Sequence, residues 1–113
     1  MRKSDKKRDN QLRSELTEVC EAVLEDIAGF QWLTHLVNYS DFPNSLKVIC
    51  VFDTNESLDN YLLSGKNDFI QSLIHSELQK LNINLKPLRN HILFDTEENC
   101  KQQHDGNWAK RLT

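Results

Sequence analysis

The phrase Phe-Asp-Thr occurs twice in this chain, and each time it closes an apolar run. Val51-Phe52-Asp53-Thr54 ends one such run and Leu93-Phe94-Asp95-Thr96 ends another, followed by Asn55-Glu56 and Glu97-Glu98. An apolar run that stops at short polar residues and continues into acidic ones reads as a strand feeding a helix. A long helical stretch lies between the two copies, so the outline is a strand-helix-strand unit. Parallel neighbouring strands would bring the carboxylates of Asp53, Asp95, Glu97 and Glu98 together near the two strand ends.

Two readings of that cluster follow. Hard cations such as Mg²⁺ and Ca²⁺ bind through carboxylate oxygens, so Asp53 and Asp95, with Glu97 and Glu98, are candidate metal ligands able to support hydrolysis or phosphoryl transfer. The other reading is helix capping. Asp53-x-x-Glu56 and Asp95-x-x-Glu98 both resemble a capping box, with Thr54 able to cap one residue later. Caps need no special surroundings, so capping is the expectation, with no catalytic residue and no cofactor.

The rest of the chain supplies the partners of this unit. Leu12, Leu16, Val19, Cys20, Val23, Leu24 and Ile27 recur at helical spacing, which predicts an amphipathic helix over about 11–28 ended by Gly29. Its narrow seam is compatible with a homodimer through a twin helix, although packing on a sheet is the commoner fate. From Phe30 to Tyr39 the period is two, and turn residues at 40–45 lead into a strand from Leu46 to Phe52 that is apolar on both faces and therefore central. Residues 55–82 read as a helix broken near Ser64-Gly65, Pro87 forbids helix continuation, and His91–Phe94 is the third strand. The expected fold is α+β: two layers, a three-stranded mixed sheet, helices on one face. Residues 1–10 are expected to be a flexible basic arm, 11–96 the domain, and 97–113 a polar tail or short helix packing on it.

Charge narrows the choice of partner. The net charge is -3, but residues 1–13 carry six basic and two acidic side chains while the remaining hundred carry eight basic against fifteen acidic. An acidic body with a short basic end is a poor reader of duplex DNA, because phosphate attraction needs a positive surface. Lys6 and Lys7 are the candidate contacts in that end, for RNA or an acidic protein. No apolar run approaches the roughly 20 residues that span a bilayer, and no apolar signal core follows the basic start, so a cytoplasmic protein is expected.

Isolated functional residues give little more. Cys20, Cys50 and Cys100 have no Cys-x-x-Cys spacing; the first two read as small core residues and Cys100 as accessible. His35 on an apolar strand reads as a packed, hydrogen-bonded histidine. Cys100 and His104 share a helix face, half a zinc site or a nucleophile pair at most. Trp108, with Arg111 after it, is either a lid folded over the domain or an anchor for a partner, and folding back is preferred.

Two resemblances can be set beside these readings. The amphipathic first helix, the strand pair, the helix broken at Ser64-Gly65 and the cadence Leu85-Lys86-Pro87 … Ile92-Leu93-Phe94-Asp95 resemble the KH-like layout of the ribosome-binding factor A family. That likeness covers about residues 11–96 and implies an RNA-facing break at Ser64-Gly65, although this body is acidic where the family tends to be basic. Closer in wording, Arg2-Lys3-Ser4-Asp5-Lys6-Lys7, Trp32-Leu33-Thr34-His35 and Phe94-Asp95-Thr96-Glu97-Glu98 are similar to a family of small uncharacterised gammaproteobacterial proteins, some labelled Fis-type regulators. Residues 97–113 are too few for the two helices of a helix-turn-helix. A non-enzymatic adaptor or regulatory binding module contacting protein or RNA is therefore the expected function, with a metal-dependent enzyme using Asp53 and Asp95 as the alternative.

Overall fold

The first helix is longer than its apolar period. In the computed structural model, which describes residues 2–113, α1 runs from Lys3 to Asp26 and buries Leu12, Leu16, Val19 and Val23 along one stripe. Residues 3–10, expected as a flexible arm, are its opening turns. Nothing in Lys3–Asn10 breaks a helix, and extending one costs little once a packed nucleus exists. The stripe ends at Ile27, and the chain reverses at Gly29, whose φ is +84°. A side chain there would also collide with Ser57, whose Oγ would lie 2.6 Å from an added Cβ. Glycine is thus required twice over, and its carbonyl accepts the Asp53 N–H at 2.8 Å.

The reversal sends β1 (Phe30–Leu36) back alongside α1, and β1 pairs antiparallel with β2 (Lys47–Phe52), Leu33 opposite Cys50, with a bulge at Gln31. β1 stops at Leu36 because the Asn38 side chain accepts from the Ser40 N–H and starts a tight turn over Tyr39–Asp41. β3 (Ile92–Thr96) lies parallel to β2, with Phe94 beside Cys50. The strand order is β1-β2-β3, so the sheet is mixed and open, with β2 at its centre. Val48 through Phe52 are all buried, as the two-sided apolar pattern requires.

On one face, Val48, Cys50 and Phe52 meet α1, α2 (Asn55–Leu63) and α3 (Phe69–Lys80) through Tyr61, Ile70, Ile74 and Leu78. The ring of Phe52 packs edge-on against Phe30 at 5.8 Å and tilted against Tyr61 at 5.4 Å. The break at Ser64-Gly65 is held by Tyr61, whose hydroxyl donates to the Asn67 carbonyl and accepts from the Ile70 N–H. The architecture is α+β, with these three helices forming the helical layer. Two short helices follow β3, α4 (Glu97–His104) and α5 (Trp108–Arg111), joined by a turn through Asp105 and Gly106 at positive φ. They bring residues 108–111 back to the opposite side of the sheet, against Trp32 and Asp95. Cys100, expected to be accessible, is fully buried beneath this return. Among the described residues, no helix is long and apolar enough to cross a membrane.

Candidate interaction site

The two Phe-Asp-Thr junctions stand side by side because β2 and β3 are parallel. Both helices begin one residue later than a cap at Asp would require, so the caps are Thr54 and Thr96. Their hydroxyls accept from the Ser57 and Asn99 N–H groups, each at 3.0 Å. Asp53 and Asp95 instead turn back to the next N–H in the chain, those of Thr54 and Thr96. The junctions also cap each other. Glu98 Oε1 accepts from the Asn55 N–H at 2.9 Å, and the Asn55 side chain bridges the Thr96 hydroxyl and Asn99.

The remaining carboxylates are also taken internally. Arg111 grips Asp95 with two parallel bonds, Nε to Oδ2 at 2.6 Å and Nη2 to Oδ1 at 2.9 Å. Glu97 Oε1 accepts from both indoles, Trp32 at 2.8 Å and Trp108 at 2.9 Å, and the two rings meet edge to face at 4.8 Å. Trp108 and Arg111 therefore fold back onto the domain. His104 faces the Arg111 guanidinium, with Nδ1 3.2 Å from Nη1, while burial pushes the Cys100 thiol above its ordinary pKa. Asp53 is held below the usual carboxylate range, chiefly by its bond with Ser57 and further by the Thr54 N–H. Among the described residues, no group of three His, Cys, Asp or Glu side chains is arranged to hold a metal ion.

A different cluster lies at the other edge of the sheet. Because α1 and β1 form an antiparallel helix–strand hairpin, Asp9 in the second turn of α1 reaches the far end of β1. Its Oδ1 accepts from the Tyr39 hydroxyl at 2.8 Å and lies 2.9 Å from His35 Nε2, while Oδ2 meets Arg13 Nε at 3.0 Å. The Asp9 and His35 side chains are only 14% and 10% exposed, so this network is set into the fold. The bond with His35 is the largest cause holding the Asp9 carboxyl below its usual range, and burial, aided by Asp9, pushes the Tyr39 phenol upward. These groups line a groove of about 560 Å³, with Asp9, Arg13 and Thr17 on the helix side and Leu33 to Val37 on the strand side.

His35 was legible in the sequence as a hydrogen-bonded histidine; Asp9, Arg13 and Tyr39 were not. Their separations from His35 follow no motif spacing, and only the helix–strand hairpin brings them together. Lys6 and Lys7 stand exposed on α1, beside Lys3, Asn10, Gln11 and Ser14. Comparison of this chain with models of known families, with curated proteins and with solved structures finds no match.

Proposed function

We propose that this chain is a non-enzymatic binding module that recruits protein by adding a strand to the outer edge of β1. The observation that carries the reading is the open groove beside an unpaired edge strand. Edge strands are ordinarily guarded by lysine, proline or a bulge, because their free N–H and C=O groups template another chain. Past the bulge at Gln31, the segment Leu33-Thr34-His35-Leu36 has none of these guards. Strand addition uses such an edge for main-chain hydrogen bonds and a flanking groove for side chains. The Asp9–His35–Tyr39 network holds the groove in shape before any partner arrives, which lowers the ordering cost of binding.

The carboxylates at the strand ends, the alternative seat of a metal-dependent activity, are each engaged by internal donors, and this favours binding over catalysis. The acidic body favours protein over RNA as the partner. Affinity capture from a native cell extract tests the reading, comparing the wild-type chain with a Thr17→Arg, Leu36→Lys variant. The first substitution fills the groove from an exposed helix position, and the second places a lysine guard on the edge. Loss of the captured partner in the variant is the expected result; undiminished capture would refute the reading.

A further inference from the structure

The groove beside β1 has a charge of its own, and the helix supplies it. Between Phe30 and Leu36 the strand carries no acidic side chain, no lysine and no arginine. Successive residues of a helix turn by about 100°, so Lys6, Asp9, Arg13, Thr17, Cys20 and Leu24 share a sector of about 80° on α1. Asp9, Arg13 and Thr17 line the groove, which fixes this sector as the one overlooking the β1 edge. Glu18, Glu21 and Glu25 lie outside it on the outward side, and Glu15 is turned to Glu77 of α3. The helix shows the edge its cations and not its glutamates.

The one carboxylate in the sector is already engaged. Asp9 Oδ1 faces the Tyr39 hydroxyl and His35 Nε2, and Oδ2 faces Arg13 Nε. Arg13 is still 72% exposed beside the groove. Lys6, about one helical turn nearer the chain start, is exposed and, among the described residues, paired with no carboxylate. Positive charge at this edge is thus unmatched within the fold, on a protein whose net charge is -3.

That charge is confined to one end of the strand. His35 is level with Asp9. Phe30 lies about 17 Å further toward the reversal at Gly29, abreast of about Cys20 on the antiparallel helix. Lys6 and Arg13 therefore overlook the Leu36 end, while Cys20 and the half-exposed Leu24 overlook the Phe30 end. Lys6 and Arg13 are about 10 Å apart along the helix axis, and alternate residues of a strand, which face the same way, are about 7 Å apart. Two carboxylates at alternate positions of an added strand come within reach of both flexible cations. A strand without them would cover Lys6 and Arg13 and leave their charge unpaired. Nucleic acid would satisfy the cations but cannot continue the sheet.

We infer that the strand received at the β1 edge is an acidic one, an extended protein segment that turns carboxylates to α1 beside the Leu36 end and apolar side chains beside the Phe30 end. The inference rests on the strand-addition reading and names the chemistry of the segment added. Selection from a library of random peptides of about twelve residues on the full-length protein, with hydrogen exchange of the β1 amides in the resulting complexes, tests it. The selected peptides should be rich in aspartate and glutamate and should slow exchange in β1. Lys6→Glu should raise their Kd about tenfold or more, whereas Lys3→Glu, Lys7→Glu, on the outward face, should change it by less than about threefold. Selection on a Lys6→Glu, Arg13→Glu variant should turn the preference to basic peptides with β1 still protected, which also shows that the variant is folded. Neutral or basic peptides that protect β1 of the wild-type chain overturn the inference and leave strand addition standing. Acidic peptides that leave β1 exchanging freely, or that respond to Lys3 and Lys7 as they do to Lys6, overturn it by placing the binding elsewhere on α1. A library that yields no binding peptide overturns both readings.

Discussion

Asp95 and Asp53 occupy corresponding positions in the repeated phrase, yet the fold uses them differently. Asp95 is clamped by a guanidinium from α5, whereas Asp53 is turned to Thr54 and Ser57. Asp95→Asn should lower stability by about 2 kcal/mol, since a partly buried charge-assisted pair loses its charge and Arg111 loses its counterion. Thermal unfolding should give the same midpoint with and without millimolar Mg²⁺, Ca²⁺ or Zn²⁺, because a ligand of the native state must raise it. A metal-induced rise abolished by Asp95→Asn would return these carboxylates to metal chemistry. The repeated phrase was legible as two strand-to-helix junctions. Which residue caps was not, because Asp and Thr are both good N-caps and only the observed helix start separates them by one position. Cys100 was misplaced for a related reason: a polar segment near the chain end gives no sign that it will fold back and cover a thiol.

α1 shows where periodicity stops being informative. Its apolar residues begin at Leu12, so the pattern locates the packed stretch but is silent about Lys3–Asn10, which contains no apolar residue to carry a period. The helix continues there because nothing stops it and because Asp9 is tied to His35 and Tyr39. The consequence reaches the nucleic-acid question. Deleting residues 1–9 would remove Asp9 and disturb the groove, so charge reversal at Lys3, Lys6 and Lys7 is the cleaner probe. The chain should show no sequence-specific binding to duplex DNA at physiological salt, and any residual affinity should vanish in this triple variant. Binding through the basic residues 2–8 should be weak and strongly salt-dependent, each neutralised phosphate contributing a slope of about -0.9. Tight, sequence-selective binding by the triple variant would reveal a reading surface elsewhere on the body. The central strand, by contrast, was legible because Ile49 and Val51 are apolar opposite Val48, Cys50 and Phe52, a pattern that suits burial on both faces.

Taken whole, the molecule is held at the two ends of its sheet by acidic residues whose titration couples to folding. Asp9 and Asp53 both have carboxyl pKa values depressed in the folded state. Between those folded values and the unfolded value of about 3.9, the unfolded chain binds more protons, so stability falls as pH falls through this window. Glu15 and Glu77 titrate as a pair across the α1–α3 contact, their mutual interaction raising Glu15 and lowering Glu77, so the two oppose each other in the pH dependence. Thermal unfolding followed against pH should show the acid-side loss, and Asp9→Asn should flatten it; an unchanged profile in that variant would remove Asp9 as a cause. The fold class was legible because the order of elements leaves few ways to bury the apolar faces. The groove was hidden, since its parts come from opposite ends of a long hairpin.

The indole pair has a practical consequence. The chain has two tryptophans, and both donate to one oxygen of Glu97 where α5 meets the sheet. Intrinsic fluorescence of this protein is therefore a single-seam reporter, reading the attachment of the C-terminal return and not the main core. If that return detaches before the helical layer melts, emission will change while far-ultraviolet circular dichroism stays largely native. Agreement between the two signals would instead mean that the return and the core come apart as one cooperative unit.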